Sequence, residues 1–582
     1  MIDADLNYVE TVEEAAEALA WLDQPRKALS IDTETTGLKW DADVRLIQFG
    51  DVNGGYAVPI REWRGVAEAM LNKAVDSGVP IVMHNAGYDQ ARLRFNEYPE
   101  VPWPQVSCTE IMHRTMYPHL RAGLKAVCDR YWPGASAGQV LLKEKMRANR
   151  WDWATVPTST EEYWQYGVLD VVLTARLYDT LRADPSFSQT AFDREMAVRD
   201  ILSQAEFRGV RIDPEYTTRL LSEWRAEREE LRRTLQAAGL DNPGSNPQVT
   251  HALKDAGWQP EEFTETGQPK LDKAILRALD YRFPGIALPL LRYRRLTKWS
   301  STFLEAFLRE QDSDGRIHPS IRTQGARTGR MSVTDPAFQT LPSGESAIRN
   351  CILPYQDDHD LYACDFSNVE MRIFASYTGD PLLIDAAKAE DFHRSTAALV
   401  FGISEAEVSP AQRSLAKTVN FANVYGAGPA KMAEQAGVSE GVIKDFLAAF
   451  NSRFPKADQF KFDVQTAGKR RTAEEDEGYI VTSGGRRLVC DSDKIYSLTN
   501  YICQGSAADV FKDSLIALDS AGLGDFIVLP VHDEVLFSFP RDEAPHLAKI
   551  AQEAMNDYTT FAVPLTTEMS GPYQRWGDGY AS

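Results

Sequence analysis

The residues that most constrain the fold of this chain are 526–539, FIVLPVHDEVLFSF. Two apolar runs enclose three polar residues, His532, Asp533 and Glu534. This pattern predicts a β-hairpin that carries its acidic residues at the turn. A hairpin tip of this kind can bring Asp533 beside an acidic residue from a distant part of the chain.

A strand with an acidic end is predicted far upstream, in residues 361–373, LYACDFSNVEMRI. The strand ends at Asp365, and a helix is predicted to start at Glu370. A single aspartate at a strand end usually only turns the chain. A functional role for Asp365 is therefore inferred only because Asp533 can lie beside it. Two neighbouring carboxylates repel each other unless cations lie between them. Two divalent metal ions, about 3.5–4 Å apart, would bridge the pair and support in-line displacement at phosphorus.

The charge of the chain argues against one class of nucleic-acid protein. The 582 residues carry a formal net charge of −21, whereas a protein that coats nucleic acid nonspecifically is expected to be basic. A nucleic-acid enzyme is not excluded, because metal-binding acids add negative charge and a basic groove can coexist with an acidic exterior. Charge alone favours a soluble metabolic enzyme, so the motifs have to decide.

Length and cysteine usage bound the class of protein further. At about 150 residues per domain, the length predicts three or four domains. The sequence has no run of about 18 apolar residues, and its N-terminal stretch MIDADLNYVETVEEA is polar, so neither a membrane span nor a signal peptide is expected. The six cysteines form no CxxC pair, which predicts reduced, mostly buried thiols and a cytoplasmic protein.

Residues 1–185 alternate predicted strands and helices, which indicates an α/β layered domain. The first acidic motif of this domain is Asp32 and Glu34, next to the predicted strand ALSI. Because residues i and i+2 of a strand face the same side, these two carboxylates are expected to converge. The predicted strands are residues 28–31, 44–50, 56–60 and 80–84.

Two further motifs of the same domain repeat one helical spacing. Asn85 and Asp89 lie four residues apart on a predicted helix, and Tyr166 and Asp170 do so on a longer one. Each motif alone is common, but their occurrence in this order on these elements predicts one pocket lined by four acids and a tyrosine. Hard oxygen ligands of this kind suit Mg²⁺ or Mn²⁺ rather than zinc.

Residues 186–310 predict a long, charged helical region with a basic cluster at 292–298. Two interpretations stand here: a helical arm that embraces a phosphate backbone, or an ordinary amphipathic hairpin with solvated charges. Residues 315–344 are polar and turn-rich and carry Arg322, Arg327 and Arg330, which can approach a duplex closely. Residues 466–478, TAGKRRTAEEDEG, are predicted to be a charged loop.

A stripe of four side chains marks the predicted helix in residues 409–426. Arg413, Lys417, Phe421 and Tyr425 fall four apart, so each step drifts only about 40° around the helix. Two cations followed by two aromatic rings suit a nucleoside triphosphate, with the cations at the phosphates and the rings at sugar and base. The alternative is a surface stripe in which the cations extend over a half-buried aromatic pair.

The N-terminal motifs resemble those of the DEDD 3′–5′ proofreading exonucleases, in the subtype that uses a tyrosine. The resemblance rests on the order DxE, then N-x3-D, then Y-x3-D. It implies that Asp32, Glu34 and Asp170 bind one metal ion and that Asp89 binds the second. Tyr166 would orient the attacking water.

From about residue 190 onward, the chain is similar to the family A DNA polymerases of the DNA polymerase I type. TGRMSVTDPAFQTLP, CDFSNVEMR, R-x3-K-x7-YG, QGSAAD and VHDE occur in the order of that family. The implied fold is a ribonuclease H-like α/β exonuclease domain followed by an α+β right-hand polymerase. The implied segments are the exonuclease (1–185), the thumb with the start of the palm (186–312), the palm with Asp365 (313–384), the fingers (385–488) and the second part of the palm with Asp533 (489–582).

The resemblance also implies roles for individual residues. Asp365 and Asp533 would bind the two catalytic metal ions, Mg²⁺ with Mn²⁺ as a substitute, and Glu534 would support the primer end. Phenylalanine at position 421 marks discrimination against dideoxynucleotides in this family, and Glu370 would block a ribose 2′-OH. The implied nucleotide-binding residues are Arg413, Lys417, Phe421, Tyr425, Glu370 and His393. The implied DNA-binding residues are Arg330, Gln504, Asn500 and His532.

The sequence departs from the family pattern at two positions. Tyr496 and Gly344 stand where an arginine is common in this family. The resemblance therefore does not imply the duplex contact that an arginine would make at position 496. No 5′-nuclease domain is expected before the exonuclease domain, and the compact layout resembles that of phage replicative members.

The expected reaction is template-directed extension of a primer by dNTPs, with proofreading, in the cytoplasm of a bacterial host. The expected partners are primer–template DNA and dNTPs, the expected state is a monomer, and the sequence identifies no processivity partner. Two alternatives stay open. One is a nuclease whose polymerase-like part does not polymerise, and the other is a scaffold protein that binds DNA ends and has no activity at either site.

Overall fold

The computed structural model describes residues 3–279, 282–283, 285–342 and 344–580. Its N-terminal part is built on a mixed six-stranded sheet with the order β1-β4-β3-β2-β5-β6. The strands are β1 (Asp5–Tyr8), β2 (Leu29–Thr35), β3 (Val44–Gly50), β4 (Gly54–Pro59), β5 (Ile81–Met83) and β6 (Val106–Cys108). The four predicted strands correspond to β2 to β5, which confirms the layered α/β domain.

Helices pack against this sheet, and the last of them contacts strands β2, β3 and β4. The helices are α1 (Val12–Trp21), α2 (Ile60–Asp76), α3 (Ala86–Phe95), α4 (Thr109–Met116), α5 (Leu124–Tyr131), α6 (Ala137–Asn149) and α7 (Glu161–Arg182). Gly167 allows α7 to approach β3, because a Cβ at this position would lie 2.4 Å from the side-chain nitrogen of Gln48. This close approach carries Tyr166 and Asp170 to the side of the sheet that bears Asp32.

A helical region follows, as predicted for residues 186–310. Its elements are α8 (Gln189–Arg208), β7 (Val210–Arg211), α9 (Pro214–Ala237), α10 (Asn246–Asp255), α11 (Lys273–Leu279), α12 (Ala287–Trp299) and α13 (Glu305–Arg309). Helices α9 and α12 pack along each other. In the basic cluster, Arg292 Nε bonds Glu227 at 2.7 Å and Arg294 bonds Asn246 at 2.8 Å. For these two arginines the contacts favour the amphipathic-hairpin interpretation.

The C-terminal part is organised around an antiparallel sheet with the order β14-β15-β11-β16. The remaining strands are β8 (Arg316–Ile317), β9 (Ser320–Arg322), β10 (Ser332–Thr334), β11 (His359–Phe366), β12 (Gly478–Val481), β13 (Arg487–Cys490), β14 (Ile527–Val531), β15 (Glu534–Pro540) and β16 (Thr567–Tyr573). The predicted hairpin is confirmed as β14 and β15. Its turn is His532 and Asp533, whereas Glu534 already belongs to β15 and pairs with Asp365.

Helices flank this sheet and form a separate block between its first and last strands. They are α14 (Ser346–Arg349), α15 (Val369–Thr378), α16 (Pro381–Lys388), α17 (Phe392–Phe401), α18 (Pro410–Val424), α19 (Pro429–Ala436), α20 (Glu440–Arg453), α21 (Pro455–Glu475), α22 (Leu498–Ser520) and α23 (Ala544–Met555). Ser409 caps α18 through a reciprocal pair of bonds with Gln412. Tyr425 is the C-cap residue, so the fourth member of the stripe lies just beyond the regular helix.

The prediction of a loop at residues 466–478 is wrong, because α21 continues to Glu475. The helix persists since its inner face is packed: a Cβ on Gly468 would lie 2.3 Å from a methyl group of Leu498. The charged residues of this stretch occupy the outer face, where they give no signal of a break. A local pattern of charge was therefore mistaken for a loop.

A buried ion network joins α8 to α22. Glu195 of α8 contacts Lys512 and Arg486, and Arg486 Nε also bonds Asp509 at 2.9 Å. None of these four residues is more than 2% exposed. Burial alone would raise the pKa of Glu195, but Lys512 and Arg486 hold it below its ordinary value. Lys512 also donates to the carbonyl of Gly329 at 2.7 Å, next to Arg330.

The cysteines and the helices bear on two expectations from composition. All six cysteines are buried free thiols, which confirms their prediction as unpaired core residues. Among the helices of the described ranges, none combines the length and apolar character that crossing a membrane requires.

Candidate active sites

The first candidate site lies where β2 meets α7. Asp32 and Glu34 extend from β2, and Asp170 faces them from α7. One carboxylate oxygen from each of the three residues lies within 4.8 Å of the others. This grouping matches the ligand set expected from the sequence, and its all-oxygen donors fit a hard divalent cation.

Asp89 joins this site through its neighbour on β2. The backbone N–H and the hydroxyl of Thr33 donate to Asp89 Oδ1 at 3.0 and 2.7 Å, and Asp89 is 2% exposed. Thr33 was not among the predicted site residues, because a threonine between two acids gives no signal of its own. Asn85 was placed on the helix, but it precedes α3 in the left-handed region at φ 63°.

The electrostatics of the first site show acids that lack sufficient counter-charge. Burial raises the pKa of Asp32 to about 7. Burial, and then the nearby Asp32, raise the pKa of both Glu34 and Asp89 well above their ordinary values. Burial and Glu34 also raise the pKa of Tyr166, so its hydroxyl keeps its proton. Such a cluster is suited to hold divalent cations, which would favour the ionised carboxylates.

Lys125 is a charged residue of this site that the sequence did not predict. Its ammonium contacts the carboxylate of Asp170 and lies 4.5 Å from the ring centroid of Tyr166. Burial lowers the pKa of Lys125 to about 8, against the opposing attraction of Asp32. No motif signals this lysine, because it comes from α5, far in sequence from every other residue of the site.

The second candidate site lies at the end of β11. Asp365 stands opposite Glu534 on β15 and Glu568 on β16, and the N–H of Phe366 donates to the carbonyl of Asp533 at 3.2 Å. Asp365 is open to solvent on one side. Even so, partial burial raises its pKa to about 7, followed by the charges of Asp533, Glu534 and Glu568. The structure thus brings the two predicted metal-binding aspartates together and adds Glu568, which no motif indicated.

Glu534 and His532 face different surroundings. The Glu534 carboxylate accepts from the hydroxyl of Tyr580 at 3.2 Å, and burial raises its pKa. His532 adopts the left-handed conformation at φ 59° that the tight turn requires. His532, Asp533 and Arg330 border a small cavity of about 20 Å³ against α22.

The stripe on α18 faces α17. Arg413 pairs with Asp391, the residue that caps α17. The His393 ring lies 5.4 Å from that of Phe421, which in turn lies 6.2 Å from Tyr425. Burial, and then the charge of Lys417, lower the pKa of His393 to about 4, so its ring is neutral. Five of the predicted nucleotide-binding residues lie here, including His393. Asp391 was not predicted, because its position beside Arg413 follows only from the tertiary packing.

Glu370 links the stripe to the predicted DNA-contacting residues. It is 5% exposed, and it accepts bonds from Arg330 and, at 2.8 Å, from the hydroxyl of Tyr425. Gln504 lies near the same tyrosine and acts to lower its pKa, against the larger effects of burial and Glu370, which raise it. Asn500 lies one helical turn before Gln504, and its Oδ1 is buried with no hydrogen bond to any described residue. The predicted sugar-selecting and DNA-binding side chains therefore lie next to one another.

Comparisons with known proteins match the two parts of the chain to two families. The family described as 3′-5′ exonuclease matches residues 7–184, and DNA polymerase family A matches residues 214–578. The DNA polymerase of Mycobacterium phage D29 is 30% identical over 99% of this chain and 97% of its own length. DNA polymerase I of Pseudomonas aeruginosa is 30% identical over 72% of this chain and 48% of its own length.

A solved structure shows the same fold. It is described as the POL domain of Pol1 from M. smegmatis in complex with DNA primer-template and dNTP. The TM-score is 0.79 at 24% identity, and the match covers 98% of this chain and 99% of the other. The predicted order of an exonuclease domain followed by a right-hand polymerase is therefore confirmed. The chain belongs to the family A DNA polymerases and carries a 3′–5′ exonuclease domain.

Proposed function

We propose that the first site is the proofreading centre of this polymerase. Asp32, Glu34 and Asp170 hold one divalent ion, and Asp89 takes part in holding the second. When bound, two such ions supply the charge that activates water and stabilises the leaving oxygen at phosphorus. The protonated hydroxyl of Tyr166 lies on the same helix as Asp170 and orients the attacking water. The observation that carries this proposal is the convergence of three carboxylates within 4.8 Å.

The second site performs primer extension in this proposal. Asp365 and Asp533 would hold two divalent ions, which when bound would supply the charge for attack of the primer 3′-OH on the α-phosphorus of a dNTP, with pyrophosphate as the leaving group. Arg413 and Lys417 hold the triphosphate, with His393 beside them. Glu370 is fixed by Arg330 and Tyr425 at the place where it would exclude a ribose 2′-OH.

The remaining contacts concern the primer–template. Arg330, Gln504 and Asn500 touch the duplex, and His532 and Glu534 support the primer end. In the M. smegmatis structure the polymerase is described with DNA primer-template and dNTP, which supports the same partners here. The division into segments 1–185, 186–312, 313–384, 385–488 and 489–582 is part of this proposal.

The oxygen donors of both sites favour Mg²⁺, with Mn²⁺ as a substitute. The phage relative supports a role in phage DNA replication, in the cytoplasm of the host cell. We propose that the protein acts as a monomer.

Primer extension and degradation on matched and mismatched 3′ ends tests the function directly. We expect extension in the presence of dNTPs, shortening in their absence, and faster shortening of a mismatched end. Shortening without extension would identify a nuclease with an inactive polymerase body. DNA binding with neither activity would identify a scaffold.

Phe421→Tyr is expected to increase the use of dideoxynucleotides. The Phe421 ring lies on the stripe proposed to face the sugar and has no hydroxyl to replace a missing 3′-OH. A charge-assisted hydrogen bond contributes about 1.5–3 kcal/mol, so chain termination should rise about tenfold to a hundredfold. The measurement is termination frequency at matched dideoxy and deoxy concentrations, in a variant without exonuclease activity.

Phe462→Tyr, at a ring 65% exposed on α21, is the control. Equal termination by both variants would mean that Phe421 faces away from the sugar.

Stabilisation by metal is expected to grow as the pH rises. In the metal-free fold the pKa values of Asp32 and Asp365 are about 7, above the ordinary 3.8. Protonation of these two acids therefore stabilises the folded chain relative to the unfolded chain. That stability is fully present below pH 3.8 and is lost as the pH rises through 7. Divalent ions need the ionised forms, so their effect opposes this loss.

The measurement is the shift in Tm on adding Mn²⁺ at about pH 5.5 and at pH 8. We expect the larger shift at pH 8. A chain in which both aspartates are alanine should show less dependence on pH. Equal shifts at the two pH values in the unaltered protein would contradict the assignment of these acids as ligands.

A further inference from the structure

Lys125 places a positive charge inside the proposed exonuclease site. Its side chain is 11% exposed, its ammonium contacts Asp170, and it lies 4.5 Å from the centroid of the Tyr166 ring. It therefore touches both a proposed metal ligand and the residue proposed to orient water. A buried lysine has a strong need for a partner charge, since removing an unpaired ammonium from water is costly.

The segment before α5 is anchored so that Lys125 reaches this position. The ring of His84 bonds the carbonyl of Ala122 at 2.8 Å and the hydroxyl of Thr109 at 2.9 Å. Since a carbonyl only accepts, Nε2 of His84 donates to Ala122, and Nδ1 accepts from Thr109. His84 directly follows β5, the strand that leads into α3. The turn that carries Lys125 is thus tied to the same sheet as the acids.

The charges of the site explain what the lysine does. Asp32, Glu34, Asp89 and Asp170 contribute up to four negative charges, and neighbouring carboxylates destabilise one another. The ammonium of Lys125 offsets one of these charges in the absence of metal. A divalent ion that binds Asp170 has to compete with it, because both cations need the same carboxylate.

We propose that Lys125 is a positioning residue of the exonuclease: its ammonium occupies the cation position at Asp170 before metal binds, and the divalent ion displaces it. The proposal rests on the assignment of the first site as the exonuclease. It predicts that metal loading is an exchange of one cation for another. It also predicts that the released side chain keeps its place beside Tyr166.

The test is a Mn²⁺ titration of the full chain, followed by electron paramagnetic resonance of the free ion. Asp365→Ala and Asp533→Ala are introduced first, so that the polymerase site contributes no binding. Lys125→Met should then lower the Kd for Mn²⁺ at least about fivefold, because a competing charge is removed. At saturating Mn²⁺ the same variant should degrade primers at least about tenfold more slowly, since Tyr166 loses the charged side chain that stays beside its ring.

Two variants serve as controls. Lys125→Arg keeps the charge and should stay close to the unaltered Kd. Lys143→Met removes an exposed lysine of α6 and should change neither quantity. A lysine that only supports the fold would weaken metal binding and activity together. An unchanged or higher Kd in Lys125→Met therefore overturns the proposal.

A measurement on the unaltered chain covers the case in which Lys125→Met does not fold. Lysines are acetylated briefly with and without Mn²⁺, and each site is quantified by mass spectrometry. Displacement from Asp170 should raise labelling of Lys125 at least about threefold, whereas Lys143 stays constant. Constant labelling of Lys125 overturns the proposal. The exonuclease assignment is judged separately, by whether Asp32→Ala with Glu34→Ala abolishes degradation.

Discussion

Replacing Asp365 with asparagine is expected to reduce primer extension by at least about a thousandfold, or about 4 kcal/mol of transition-state stabilisation. The substitution keeps the size of the side chain but removes one charge from the pair that Asp365 forms with Asp533. A divalent ion held there would lose an anionic ligand. The measurement is single-turnover addition of one nucleotide, in an Asp32→Ala, Glu34→Ala background that removes degradation.

Asp358→Asn is the matched control for this experiment. Asp358 lies just before β11, and its side chain is 79% exposed, so the same change of atoms should leave extension unaltered. In a chain with an intact first site, Asp365→Asn should still degrade single-stranded primers at the normal rate. Extension by Asp365→Asn within about tenfold of the unaltered protein would place the polymerase metal ions elsewhere.

Removal of the two acids of β2 should abolish degradation and leave primer extension intact. The double variant Asp32→Ala, Glu34→Ala is expected to lose at least about a thousandfold in 3′–5′ degradation, because two ligands of one ion are absent. Its extension rate should stay within about twofold of the unaltered protein, since the second site lies on a different sheet. The metal-free variant should melt no lower than the original, because it no longer buries these two acids.

The control for the double variant is Asp41→Ala with Asp43→Ala. Both aspartates are exposed in the loop after β2, so the change in net charge is the same without loss of a ligand. Degradation is measured on single-stranded and on mismatched primers in the absence of dNTPs. Persistent degradation by the Asp32→Ala, Glu34→Ala chain would show that the nuclease activity resides in other residues.

Local patterns predicted the parts of both sites that lie on one element. The i, i+2 spacing of Asp32 and Glu34 placed them on one side of β2, and the i, i+4 spacing of Tyr166 and Asp170 placed them on one face of α7. The acid-tipped hairpin around Asp533 was likewise evident from its two apolar runs. In each case the periodicity of the element fixes which side chains converge, and the sequence alone contains that information.

Residues that reach a site from another element could not be predicted in this way. Lys125, Asp391 and Glu568 each enter through tertiary packing. Lys125 and Glu568 belong to stretches without a motif, and the role of Asp391, two residues before His393, follows only from its contact with Arg413. The failed loop at residues 466–478 has the same origin, because burial of Gly468 against Leu498 outweighs the charged surface pattern. Contacts of this kind depend on distances between elements, which no spacing along the chain encodes.

The buried ion network determines where the proofreading module can be separated from the rest of the molecule. Although α8 directly follows the exonuclease domain in sequence, its Glu195 neutralises Lys512 and Arg486 inside the polymerase half. A chain cut after α8 would leave those cations with too few acids, and breaking a buried pair costs about 3–5 kcal/mol. The short joint between Arg182 of α7 and Gln189 of α8 avoids this cost. In a recombination between two polymerases, the exonuclease domain would therefore be exchanged between α7 and α8. Helix α8 would stay with the polymerase part of the chain.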